Sequence, residues 1–164
     1  MAAGNELLSF RADEYQPGVA SPATYDRRND HGVLDFDAAT DENAVFGGVL
    51  PTHYAGNGLT VTLVWSATTA TTGDVVWNVA IEAHPDDAFD LDADGFAAAN
   101  AATATAPSAS GEVQYTDITF TDGADMDSLA AGESFRLKVT RDANHASDTM
   151  AGDAELHKVI VKET

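Results

Sequence analysis

The sequence predicts an all-β domain, an antiparallel β-sandwich of jelly-roll type, and three observations carry that expectation. Apolar residues alternate with polar ones over short runs. Turn-forming residues separate those runs. Helical periodicity is nearly missing from the 164 residues, a length suited to one domain with a sizeable core.

The elements follow in chain order. Residues 1–32 read as an extended N-terminal arm, because Tyr15-Gln-Pro-Gly-Val-Ala-Ser-Pro-Ala-Thr-Tyr25 carries two prolines that suit an open backbone. The domain proper is expected over 33–164, with a first strand at Val33–Asp37. Gly47-Gly48 inside AVFGGVL suggests a bulge or a close backbone approach in the next strand. Leu59, Val61, Leu63 and Trp65 share one face of a strand, as do Val75, Trp77, Val79 and Ile81, and this sharing marks both tryptophans as core residues. The only helical candidate is Gly95–Ala104, rich in alanine. Val113 and Tyr115 differ in parity from Ile118 and Phe120, which suggests a bulge near Thr116-Asp117. Phe135, Leu137 and Val139 alternate with Arg136, Lys138 and Thr140, and Leu156–Lys162 closes a set of about eight strands. Residues 86–111 and 142–153 are expected as long loops at the ends of the sandwich.

Charge narrows the function classes. Twenty-seven acidic residues face eight Lys and Arg, a formal net charge of −19. From Asn29 to Phe135 there are 18 acids and no Lys or Arg. Such a surface repels phosphate backbones and anionic lipid, so neither nucleic acid nor membrane is an expected partner. The absence of cysteine removes disulfides and thiol chemistry. MAAGNELLSFRADEY has no basic segment ahead of a long apolar one, so synthesis in the cytoplasm is expected.

Several strings, VLDFDAATDENAVFGGVLPTHYAGNGLTVTLVWSA, DVVWNVAIE, SFRLKVTRD and DTMAGDAEL, resemble small acidic β-sandwich proteins from the structural modules of tailed phages and prophages. That resemblance implies a non-enzymatic virion protein: a head decoration (cement) protein on the capsid exterior, with the major capsid protein and copies of itself, as a homotrimer, for partners. The alternative it implies is a receptor- or glycan-binding module of a tail fibre or baseplate.

The candidate sites are few. Asp90, Asp92 and Asp94, followed by Gly95, match the opening of a calcium loop, although Ala101 stands where a bidentate Glu is expected. The competing reading is a solvated acidic turn, and no other cofactor is suggested. Tyr15, Tyr25, Arg27 and Arg28 are the interface candidates of the arm, with Tyr54 a further tyrosine expected in a loop. If the arm orders only on binding, deleting residues 1–28 should leave thermal unfolding almost unchanged. No catalytic signature is present: no G-x-S-x-G elbow, no paired-histidine metal motif, and no carboxylate marked out by an aromatic pocket.

Overall fold

A computed structural model describes residues 4–164. Eleven strands form two antiparallel sheets, which confirms the sandwich and raises the strand number. They are β1 (Glu6–Arg11), β2 (Gln16–Pro17), β3 (Thr24–Arg28), β4 (His31–Phe36), β5 (Glu42–Val49) and β6 (Leu59–Ala67). There follow β7 (Asp74–His84), β8 (Asn100–Thr105), β9 (Gln114–Phe120), β10 (Ser134–Arg141) and β11 (Ala154–Glu163). Sheet I runs β3-β4-β11-β6-β9, with β1 also paired to β11, and sheet II runs β2-β5-β10-β7-β8. Apart from the consecutive pairs β3–β4 and β7–β8, neighbours in each sheet are distant in sequence, as in a jelly roll.

The alternating residues named above meet between the sheets. Trp65 and Trp77, both fully buried, pack edge to face at 5.8 Å, and Phe36 adds a second such contact to Trp77 at 5.1 Å. These arrangements match the quadrupoles of the rings. The indole N–H of Trp65 donates to the Thr116 hydroxyl at 2.9 Å.

Three expectations need correction. The first concerns the arm. Residues 1–3 lie outside the described residues, but from Glu6 onward the segment is part of the sandwich. β1 pairs with β11 from Glu6↔Lys162 to Arg11↔Lys158, and Phe10 stacks on Phe46 at 5.5 Å. The two prolines sit at short or irregular pairings, where a missing N–H costs no ladder bond. Asn43 secures the crossing between the sheets: its side-chain amide donates to the Ala20 carbonyl at 2.8 Å, and its backbone carbonyl accepts from the Ala23 N–H at 2.8 Å.

The second is the helical candidate. Its last residues belong to β8, where Ala102 and Ala104 turn inward and Thr103 and Thr105 outward. An alternation of small residues and threonines outweighs alanine's helix preference once a sheet edge is available. Third, β9 has no bulge: its register against β6 is continuous from Leu59↔Phe120 to Trp65↔Gln114. Thr116, Ile118 and Phe120 face the core, so Tyr115 faces out. Register shifts fall instead between Leu156 and Lys158, at His157 of β11, and between Glu6 and Leu8 of β1. Of the two alternatives at Gly47-Gly48 the close approach holds: β5 keeps a continuous register with β10, and a Cβ on Gly48 would lie 3.0 Å from the Phe10 ring.

Candidate functional site

Sheet I carries a broad cleft on its outer side. At its floor, one row of directly opposed residues crosses four strands: Arg11 of β1, Lys158 of β11, Val64 of β6 and Tyr115 of β9. Opposed residues share a face, and three strand spacings make the row about 14 Å long. The β3–β4 hairpin rises beside it. Tyr25 and Arg27, two apart on β3, both line the cleft, as do His31 and Gly32 of β4. Gly32 makes room for the tyrosine, because a Cβ there would stand 2.6 Å from the Tyr25 hydroxyl. The cleft holds about 640 Å³, and Asp13 is the one carboxylate among its lining residues.

Two features suit it to an extended polar ligand. Tyr25 and Tyr115, 40% and 47% exposed, are the exposed aromatic side chains among the described residues, and both line this one cleft. The same cleft is lined by hydrogen-bonding groups of Arg11, Arg27, His31, His157 and Lys158. A second hollow of about 300 Å³ shares His31 and His157 with the first, and prolongs it toward Arg28, Ser66 and Val113.

The surroundings fix these side chains. His157 lies 2.8 Å from the Ser66 hydroxyl, and burial holds its imidazole below the ordinary histidine pKa. Arg28 donates to Glu155 at 2.6 Å and to the Ala67 carbonyl at 3.1 Å, which ties the β3 hairpin to β6 and β11. Arg11 is paired with Asp13 at 3.0 Å. The four interface candidates therefore divide: Tyr25 and Arg27 line the cleft, Arg28 braces it, and Tyr15 packs against the core. Tyr54 is buried, donating to Asp122 at 2.8 Å and accepting from the Gly58 N–H at 2.9 Å. Burial pushes its phenol up to about 12.

The aspartates of the calcium candidate lie in an exposed loop. The Asp94 carboxylate accepts from the Asp90 N–H at 2.8 Å, and the Asp90 carboxylate from the Asp92 N–H at 2.9 Å. These are the bonds of a self-closed acidic turn. Among the described residues no three His, Asp or Glu side chains gather as a metal site. The same long connection lies along sheet II, where the Ala97 N–H bonds the Ile81 carbonyl at 2.9 Å. Phe96 there lies beneath Arg136 and Lys138, at 5.1 and 4.6 Å from its ring centroid. Sheet II thus presents its aromatic already engaged.

No protein-family model and no curated protein matches the chain. Solved structures share its fold class, the jelly-roll sandwich. Among them is the CBM22-2 xylan-binding domain of Paenibacillus barcinonensis Xyn10C, at 11% identity and TM-score 0.56, covering 96% of this chain and 99% of that one. A CBM36 carbohydrate-binding module, solved with calcium and xylotriose, aligns at 13% identity and TM-score 0.50 over 94% and 99%. An exo-β-1,3-galactanase of Phanerochaete chrysosporium aligns at 16% identity and TM-score 0.50 over 98% of this chain, which spans only 29% of that protein. At these identities the likeness is one of fold.

Proposed function

We propose that the protein is a non-catalytic glycan-binding module and that the cleft on sheet I is its binding site. The observation that carries this reading is the convergence of both exposed tyrosines on one cleft that polar groups also line. Sugar rings offer apolar faces and hydroxyl edges, and a flat aromatic with nearby donors and acceptors serves both. A single lining carboxylate suits binding rather than glycoside hydrolysis, which uses a carboxylate pair. Proteins of this fold that are themselves named as carbohydrate-binding modules add support.

The capsid-decoration reading, with its capsid partner, homotrimer and location on the capsid exterior, draws no support from these neighbours. On a virion, a glycan-binding module fits a tail fibre or baseplate, where it would meet host-surface polysaccharide.

Electrophoresis through gels cast with different polysaccharides tests the proposal. Retardation by at least one polysaccharide is expected, and Tyr25→Ala or Tyr115→Ala should weaken it about tenfold, or about 1.4 kcal/mol. Both side chains are exposed, so the variants should unfold at the parent temperature. Retardation unaffected by either change would overturn the assignment of the site.

A further inference from the structure

The cleft's charge is opposite to that of the molecule, and from this, building on the glycan-binding reading, we infer that its ligand is an anionic polysaccharide carrying carboxylate or sulfate groups. Three cations, Arg11, Arg27 and Lys158, line it against the single carboxylate Asp13. Arg28 borders the adjoining hollow, so half of the chain's eight Lys and Arg residues border these two connected hollows. The remainder of the surface belongs to a chain of net charge −19.

The pairing pattern separates structural cations from available ones. Arg28 and Arg11 are bound to Glu155 and Asp13. Arg27 and Lys158 are exposed, and among the described residues their charged groups have no ion-pair partner. Ample carboxylates elsewhere on the chain leave both unpaired. Arg27 stands beside Tyr25 on the hairpin wall, while Lys158 lies in the floor row with Tyr115. Each free cation therefore accompanies one exposed aromatic. A sugar stacked on either ring can present an acidic substituent to the neighbouring cation, and arginine matches a carboxylate or sulfate in two-pronged fashion. A polyanion approaching this molecule is repelled by the acidic surface in general and attracted by the cations of the cleft, which helps direct the ligand there.

Calorimetric titration of the full chain with polygalacturonate, dextran sulfate and a neutral mixed-linkage glucan tests the inference. One or both anionic polymers should bind at least about tenfold more tightly than the neutral one, and the affinity should fall about fivefold or more between about 0.05 and 0.5 M salt. Preference for polygalacturonate identifies uronates as the class; preference for dextran sulfate identifies sulfated sugars. Arg27→Ala and Lys158→Ala should each weaken anionic binding several-fold, with Arg27→Lys recovering part of it and thermal unfolding unchanged. Equal or tighter binding of the neutral glucan, insensitive to salt and to both variants, would overturn the inference and leave the glycan-binding reading standing. Binding of none of the three, or salt-sensitive self-association alone, would overturn the inference, and failure on a broader polysaccharide panel would take the parent reading with it.

Discussion

At the residue scale, the position of Asp35 has a thermodynamic consequence. It sits on the outward face of β4, opposite Glu155, and its Oδ1 is buried without a hydrogen-bond partner. Burial, then the charge of Glu155, raises its pKa from 3.8 to about 6. A folded-state pKa above the unfolded value means that the native state binds the proton more tightly. The stability so gained is present below about pH 4 and is lost as pH rises toward 6. Asp35→Asn, which cannot ionise, should raise the melting temperature at pH 7 to 8 and change it little at pH 4. A variant less stable than the parent at pH 8 would contradict this account. Arg141 shows the opposite arrangement, a buried charge fully paired. It donates to Asp148 at 2.8 and 3.1 Å and to the carbonyls of Phe36, Met150 and Gly152. Arg141→Ala would leave Asp148 buried and unpaired, at a cost of about 3–5 kcal/mol in denaturant unfolding; a loss below about 1 kcal/mol would show that water replaces the guanidinium.

At the element scale, β1 is where sequence reasoning and structure diverge most. The opening segment lacks a strict alternation, and its prolines suit an arm as well as a sheet edge. What places it in the fold is a long-range match: Phe10 enters the core against Phe46 and Phe135, over Gly48. The unusual glycine was visible, but its partner lies 38 residues away and no local pattern connects them. Deleting residues 1–28 should therefore lower the melting temperature or prevent folding, since it strips β1, β2 and β3. Phe10→Ala alone should cost about 3–5 kcal/mol. An unchanged melting temperature after truncation would restore the arm. The strong strands from β4 to β7, β10 and β11 were legible because their alternation is local. Tyr115 was hidden by parity: it shares a face with Val113, which looked apolar and inward, yet Val113 is itself exposed. Thr116, bonded to the Trp65 indole, is the residue that turns inward. Two of the cleft's lining residues, Tyr25 and Arg27, were named from sequence, while its floor requires β1, β11, β6 and β9 side by side.

At the scale of the whole molecule, a charge of −19 on 164 residues opposes compaction through self-repulsion. Added monovalent salt should raise the melting temperature, most steeply below about 0.2 M, where screening changes fastest. A flat or falling curve would mean that the acids are held in compensating pairs. The same salt should weaken binding of an anionic glycan, so stability and affinity are expected to move in opposite directions. The central claim is that ligand is received on the outer face of sheet I. It is tested most directly by amide chemical-shift mapping of the isotopically labelled chain, titrated with an oligosaccharide from the polymer that retards it in gels. The account predicts shifts concentrated at Tyr25, Arg27, His31, Tyr115, His157 and Lys158, with sheet II silent. Shifts centred on Phe96, Arg136 and the 86–95 loop would place the site on the opposite sheet and contradict it.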